Sequence, residues 1–296
     1  MKMLITGSNG LLGQKLVKLL NDEGVDYLAT SRKPNIFSSC PSNRFQTMDI
    51  TDKNQVKERI VSFQPDVIVN TAAMTHVDKC EEHKADCLHI NVEGVKNIAE
   101  VINSFSKDTH FIQLSTDFIF DGKKEMYSED DEPHPLSVYG ESKLRAERLI
   151  REKLLKYTIV RTSLVFGEGE SLSKGNIFSW SVEKLKNDEE LTIVDDQFRS
   201  PTFADDLARG CLDLGRLRYD GVVNIAGPNV KSMCAYIREI AIWLGKSGES
   251  VQAISSKQLA QKARRPASSG LQIDKARELI HYEPHSFIES IALMKP

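Results

Sequence analysis

The sequence predicts an α/β protein with a doubly wound parallel sheet and a smaller C-terminal lobe. Three observations predict it. Short β-rich runs alternate with helical patterns through the first half, a glycine-rich turn joins the first run to the first helix, and the alternation loosens after about residue 165. The expected division is a first domain over 1–165 and a smaller lobe over 166–296, with some later segments returning to the first domain.

Met3–Thr6 reads as a short strand. Leu12, Leu16, Leu19 and Leu20 recur at helical spacing over Leu11–Asn21, and Tyr27–Thr30 reads as the second strand. A further extended segment precedes Asp49. Asn54–Phe63 is helical, and Pro65 closes it. Asp66–Asn70 (DVIVN) is apolar and β-branched, the mark of a strand buried on both faces. Ala85–Phe105 predicts one long helix with Ile90, Val95, Ile98, Val101 and Ile102 inward. His110–Ser115 and Tyr157–Thr162 are strands on either side of a second long helix, Tyr139–Lys156. Shorter strands are expected at Leu191–Val194 and Gly221–Ile225. The acidic run Glu129–Glu132, ahead of Pro133 and Pro135, is expected to be a solvated loop, and Trp180 and Trp243 are expected to pack inside helices.

Composition narrows the function classes. Hydrophobic residues make up 40% of the 296 and the net charge is -3, so a core is affordable and binding to nucleic acid or an anionic membrane is not suggested. The five cysteines form no CxxC pair and the seven histidines no ligand spacing, which argues against a disulfide framework or a metal site and for buried thiols in a reducing cytoplasm. Glycines interrupt the short apolar N-terminal run, and no stretch approaches the about 20 residues that span a bilayer.

Gly7, Gly10 and Gly13 form GxxGxxG directly between the first strand and first helix, the Rossmann arrangement for a dinucleotide pyrophosphate. Gly7 permits the turn, Gly10 lets backbone approach the phosphates, and Gly13 lets the helix pack closely on the sheet; Leu11 and Leu12 open the helix whose N–H groups receive the anion. The second strand ends in Thr30-Ser31-Arg32-Lys33, with two cations and no carboxylate for a ribose 2′-OH. Arg32 and Lys33 suit a 2′-phosphate, so NADP is expected ahead of NAD, with NAD still open. Asp49 and Ile50 stand where adenine would be met, and the small Thr71, Ala72 and Ala73 leave room for the dinucleotide.

Tyr139 and Lys143 are four apart at a helix start and share one face. An ammonium beside a phenol favours the phenolate, which suits a group that exchanges a proton with a carbonyl oxygen. Ser115, Thr116 and Asp117 end a strand at the carboxyl edge of the sheet. Thr116 offers a hydroxyl to a substrate carbonyl, and Asp117 is able to hydrogen-bond a sugar hydroxyl.

The stretches GSNGLLG, DVIVNTAAMTHVDKCE, STDFIFDG, VYGESKLRAE, RTSLVFG, DDQFRSPTFADDLA and RRPASSGLQIDKA, running in order from residue 7 to about 276, resemble extended short-chain dehydrogenase/reductases, in particular the dTDP-4-dehydrorhamnose reductase family. The resemblance implies a catalytic set of Thr116, Tyr139 and Lys143 and a reduced nicotinamide donor. It implies that Thr71, Ala72, Ala73 and Leu114 line the cofactor, with Arg161, Thr162 and Ser163 near its nicotinamide. It implies that Thr75, His76, Thr116 and Asp117 face the sugar, and that the lobe holds the nucleotide diphosphate through Asn176, Arg265 and Ser269. Four positions depart from the family pattern, all toward the substrate: Phe118 lacks an aromatic hydroxyl, Leu164 stands in place of a sugar-side tryptophan, Arg199 in place of a glycine, and Gln272 in place of a carboxylate. The implied activity is NADPH-dependent reduction of a nucleotide-linked 4-keto-6-deoxy sugar. A nucleotide-sugar epimerase or dehydratase, and a non-catalytic subunit resembling that of methionine adenosyltransferase, stay open, and a homodimer is compatible with the long helices.

Overall fold

Successive residues of a strand face opposite sides of a sheet, so a strand covered on both faces is apolar at every position. Met3, Leu4 and Ile5 of β1 (Lys2–Thr6) are fully buried in this way. The computed structural model describes residues 1–172, 175–259 and 261–294. Around β1 it sets β2 (Asp26–Ser31), β3 (Phe45–Thr47), β4 (Val67–Asn70), β5 (His110–Thr116), β6 (Tyr157–Thr162) and β7 (Gly221–Asn224). All pair in parallel, in the order β7-β6-β5-β4-β1-β2-β3. The chain runs one way from β1 to β3 and the other way from β4 to β7. The reversal between β1 and β4 is the switch point at which open α/β sheets bind ligands.

Helices α1 (Leu11–Asp22), α2 (Lys53–Phe63), α3 (Gly94–Phe105), α4 (Val138–Lys153) and α5 (Ala204–Leu217) cover the two faces. Leu16 and Leu20 of α1 and Leu207 and Cys211 of α5 pack on Met3, Ile5, Val69 and Ile112. Val56 and Ile60 of α2, Ile98 and Ile102 of α3, and Ala146 and Ile150 of α4 pack on Leu4, Ile68, Phe111 and Ile159. Among the described residues no helix is long and apolar enough to cross a membrane. All five cysteines are buried free thiols.

A third core lies beyond the sheet. Phe166, Phe178, Tyr236 and Phe287 meet at ring separations of 4.7–6.2 Å, between helices Ile177–Lys186, Met233–Trp243 and Phe287–Leu293. The strand Leu191–Val194 pairs in parallel with Val251–Ile254 on this lobe. The later segments α5 and β7 join the first-half sheet instead.

Four local expectations change. The long helix expected over Ala85–Phe105 is broken by a π turn at His89–Glu93. That wider turn brings Asn91 inward, where its amide donates to the Met74 carbonyl (3.0 Å) and to Ser142 Oγ (2.9 Å). The second long helix stops at Lys153, because Leu154 turns extended and is buried. The acidic run is not uniformly solvated: Glu129 Oε1 accepts from the Asn224 N–H (2.8 Å) and Asp131 Oδ2 from the Ser128 N–H (2.8 Å). Trp180 is 42% exposed on its helix instead of packed.

Candidate active site

The glycine loop leaves β1 at the switch point. Gly7 has φ +67°, and a Cβ there would lie 2.8 Å from the Ala72 nitrogen, so the turn requires glycine on two counts. The Gly10 N–H donates to the Gly7 carbonyl (2.8 Å), and a Cβ on Gly10 would meet only that oxygen, which leaves its outer side open. The close approach of Gly13 is to the loop: a Cβ would fall 2.5 Å from Ser8 Cα and 2.6 Å from the Gly7 oxygen. The tight packing expected there against the sheet is therefore packing against the turn. No side chain caps α1 at Gly10, and its first turn, which begins with Leu11 and Leu12, carries no acid. A helix N-terminus without an anion of its own suits a phosphate.

Beside this loop, Asn9 donates to the Pro34 carbonyl (2.8 Å) and holds the turn after β2. Arg32 and Lys33 lie in that turn, both exposed and neither in an ion pair among the described residues. Asp49 is anchored through one oxygen, Oδ1, which accepts from the Thr51 N–H (2.9 Å) and hydroxyl (2.8 Å). Ile50 is buried and packs where α3 begins, since a Cβ on Gly94 would touch its Cδ1 at 2.7 Å. Thr71 donates to the Thr6 carbonyl (2.6 Å), and Ala72 and Ala73 follow, partly exposed, along the open edge of β4.

The reactive groups stand at the ends of β5 and the start of α4. Ser137 caps α4 by accepting from the Gly140 N–H (3.2 Å), so Tyr139 sits in the first turn. A Cβ on Gly140 would lie 2.2 Å from the Phe118 oxygen, and this contact brings the turn down onto the end of β5. Thr116 and Leu114 of β5 are buried there. Burial pushes the Tyr139 phenol well above its ordinary range; a hydrogen bond with the Thr116 hydroxyl works against that, and the Asp117 carboxylate adds to it. The direction is opposite to the acidification expected from the YxxxK spacing, because burial outweighs the neighbouring groups. Lys143 is 4% exposed, and burial brings its ammonium down to about 8, with the Glu147 carboxylate opposing. A hydrogen bond with Cys80 lowers the neighbouring Cys87 thiol, against the opposing effect of burial.

Glu147 is a residue that the sequence reading missed. Its signal was the spacing: Tyr139, Lys143 and Glu147 fall at successive intervals of four on one helix. Its carboxylate accepts from Arg161 Nε (3.2 Å), Arg161 Nη2 (2.9 Å) and Ser115 Oγ (2.5 Å). Arg161, implied to lie near a nicotinamide, is thereby held inside the protein behind β5 and β6. Thr162 donates to Thr202 Oγ1 (2.9 Å).

The residues implied for substrate divide into exposed and anchored sets. Thr75 is exposed, and His76 caps the helix Val77–Glu82. Arg265 Nη2 donates to Asp78 Oδ2 (2.7 Å), while its buried Nη1 has no hydrogen-bond partner among the described residues. Asn176 spends its amide on capping Ile177–Lys186, accepting from the Phe178 and Ser179 N–H groups and donating to the Gly167 carbonyl (3.3 Å). Leu164 takes φ +41° beside the third core. Asp117 is the main change. It is 2% exposed, and its oxygens accept from Thr116 Oγ1 (3.1 Å), Ser163 Oγ (3.0 Å) and Ser269 Oγ (2.5 Å), with Arg199 Nε 3.9 Å away. The carboxylate expected to meet a sugar hydroxyl is an internal anchor here, and Ser269 is spent on it. Burial raises the Asp117 carboxyl, and the Arg199 guanidinium is the largest opposing influence.

The chain is similar to known proteins over its length. The family described as RmlD substrate binding domain matches residues 1–295. The chain is 33% identical over 298 residues to dTDP-4-dehydrorhamnose reductase of Aggregatibacter actinomycetemcomitans, covering 96% of this chain and 94% of the relative. It is also 33% identical over 218 residues to methionine adenosyltransferase 2 subunit beta of Danio rerio, which spans 72% of this chain and 63% of that one. Among solved structures, dTDP-4-dehydrorhamnose reductase of Bacillus anthracis in complex with NADP superimposes with a TM-score of 0.87 at 28% identity, over 98% of this chain and 97% of that one. A match that runs from the glycine loop to the end of the last helix makes the chain a member of the RmlD family.

Proposed function

We propose that the chain is an NADPH-dependent oxidoreductase that reduces the keto group of a nucleotide-linked 4-keto-6-deoxy sugar, dTDP-4-dehydrorhamnose or a close analogue, in deoxysugar biosynthesis. The observation that carries the reading is one helical turn, Tyr139 to Lys143, set against Thr116 at the carboxyl edge of the sheet, with the uncapped start of α1 at the same edge. The glycine loop and the unpaired Arg32 and Lys33 fit a phosphorylated dinucleotide, and NAD remains a weaker second cofactor. When bound, the dinucleotide supplies the hydride.

The side chains do the rest. A phenol held above its ordinary pKa keeps its proton until an alkoxide develops beside it, then gives that proton to the oxygen. The ammonium of Lys143, four residues on, offsets the phenolate left behind and helps return the proton from solvent. Thr116, whose hydroxyl donates to Asp117 Oδ1, bonds the Tyr139 phenol and so sets its place beside the carbonyl. Leu114, Thr162 and Thr71–Ala73 bound the cofactor, and Asp49 and Ile50 lie at its adenine end. The lobe beyond residue 166, apart from α5 and β7, holds the sugar nucleotide, with Thr75, His76, Leu164 and Arg265 as the residues assigned to it and Asn176 and Ser269, already committed to internal hydrogen bonds, shaping it from behind. The orphaned Arg265 Nη1 suits a diphosphate oxygen.

NADPH oxidation measured against a panel of nucleotide-linked 4-keto sugars tests the reading. Turnover of at least one is expected, and silence across the panel overturns it. The likeness to methionine adenosyltransferase 2 subunit beta supports a second reading, a cofactor-binding subunit without turnover. Cofactor binding together with that silence, and a stable partner in pull-downs, would favour it.

A further inference from the structure

A cation buried in a protein costs several kcal/mol unless its surroundings repay it, so a buried arginine at a site calls for an account. Arg199 is 4% exposed. It comes from the lobe, on the strand Phe198–Arg199 that pairs with Lys231–Ser232. Its Nη1 donates to the Phe198 carbonyl (2.6 Å), and its Nη2 to the Pro266 carbonyl (2.7 Å). Backbone carbonyls thus satisfy the fork, while two other contacts aim at the reactive groups. Nε lies 3.9 Å from Asp117 Oδ2, and the guanidinium carbon lies 5.4 Å from the centre of the Phe118 ring. The Phe118 ring meets the Tyr139 ring edge to face at 6.1 Å. Phe118 and Arg199, two of the four departures noted in the sequence, therefore touch each other.

We propose that Arg199 is a positioning residue: from the second lobe it grips Asp117 and Phe118 together, and through them fixes the Thr116 hydroxyl and the Tyr139 ring. The inference rests on the reductase reading above. Its logic is a count of protons. Asp117 accepts from three hydroxyls, those of Thr116 on Oδ1 and of Ser163 and Ser269 on Oδ2, an arrangement that suits an ionised carboxylate, which offers acceptors on both oxygens and carries no proton of its own. Once protonated, Asp117 must itself donate, and one of the three hydroxyls has to turn away. The charged or titratable groups bearing on Asp117 are Arg199 and Tyr139, with Arg265 acting on Arg199 from the 263–267 segment. Arg199 is the one that favours the ionised form directly.

Arg199→Met removes the charge and keeps much of the bulk. Loss of an opposite charge raises a carboxyl, so on acidification activity is lost sooner than in wild type: the acid limb of kcat is expected to move up by about 1–2 pH units. kcat at neutral pH is expected to fall about tenfold, with NADPH affinity within about twofold of wild type. Arg199→Lys keeps the cation and should return the acid limb toward its wild-type position. Phe118→Leu removes the ring but not the ion pair, so it should lower kcat by about threefold without moving the limb. An unshifted acid limb in Arg199→Met, or an equal shift in Phe118→Leu, overturns the proposal, since a merely structural arginine would lower activity at every pH alike. Difference infrared titration of the carboxyl band, identified with Asp117→Asn, needs no substrate. Asp117 taking up its proton at higher pH in Arg199→Met supports the proposal even where no keto sugar is turned over, and an unmoved band overturns it. The fate of the reductase reading is thus read separately, from wild-type turnover alone.

Discussion

The sheet half and the lobe half of the site are built differently. Gly7, Thr116, Tyr139 and Lys143 each sit at the end of a strand or in the first two turns of a helix, and the sheet fixes their places. On the lobe side, Ser163 and Ser269 reach Asp117 across sequence separations of 46 and 152 residues, and Arg199 arrives on a two-residue strand. Regular elements of the sheet and its helices carry the groups assigned to chemistry. Irregular segments, held by hydrogen bonds between distant residues, carry those assigned to the sugar nucleotide. The four departures from the family pattern, at Phe118, Leu164, Arg199 and Gln272, all belong to the irregular side or touch it. The chemistry is thus the part that regular structure holds constant, and the substrate side is the part free to vary.

The largest expected effect tests whether chemistry lives on the sheet half. Tyr139→Phe removes the proposed proton donor and keeps the ring against Phe118. kcat should fall by about 10²–10⁴-fold, the usual worth of a positioned acid, while NADPH binding followed by fluorescence stays within about twofold. Turnover near the wild-type rate would place the acid elsewhere and dissolve the contrast.

A second substitution tests whether the lobe is a separate unit. Phe178 is fully buried among Phe166, Tyr236 and Phe287, and Phe178→Ala should cost about 3–5 kcal/mol. If the halves unfold apart, urea titration of the variant shows two transitions and NADPH binding survives the first. One transition shared by fluorescence and circular dichroism would mean that α5 and β7, which join the lobe's sequence to the first sheet, bind the two into one cooperative body.

The same contrast governs what was legible. Strand β4 announced itself because burial on both faces leaves an unbroken apolar run, and the glycine loop because Gly7 and Gly13 have no room for a Cβ. Tyr139 and Lys143 were legible by their period. Strand β3 was legible only as an extended segment, because it is three residues at the sheet edge with two of them exposed. The π turn at His89–Glu93 has no signature in periodicity, since it answers to Asn91 finding Met74 and Ser142 in space. Asp117 was read as facing the sugar, because its partners Ser163, Arg199 and Ser269 come together only after the lobe has folded. Arg199 was visible as a departure but not as a contact.

Acid stability probes a buried histidine of the sheet half. His110 of β5 is 1% exposed, with Nε2 2.8 Å from Thr158 Oγ1, and burial brings it down to about 4 from an ordinary 6.5. Between those values the unfolded chain binds a proton that the folded chain refuses. Stability is therefore full above pH 6.5 and declines as pH falls toward 4, by about 3 kcal/mol at 1.36 kcal/mol per unit. Urea midpoints across that range should slope in the wild type and flatten in His110→Gln. An equal slope in both would assign the acid sensitivity to other groups.

The smallest effect decides the cofactor. Arg32 and Lys33 are exposed, so each cation is worth little by itself. A fork on a phosphate in partly screened surroundings is worth about 1–2 kcal/mol, roughly a tenfold change in affinity. Arg32→Ala/Lys33→Ala should weaken NADPH by about that factor and leave NADH within about twofold, because NADH carries no 2′-phosphate for the pair to meet. The difference should shrink as salt is raised, since an exposed pair is screened within a Debye length of about 10 Å at 0.1 M. Glu170 is engaged elsewhere, its carboxylate accepting from the Ser38 N–H (2.8 Å) and hydroxyl (2.7 Å), and Arg32 and Lys33 are in no ion pair among the described residues. If wild type bound NADH as tightly as NADPH, the two cations would be ordinary solvated surface charge. The regular half of the site would then set the chemistry without choosing between the two dinucleotides.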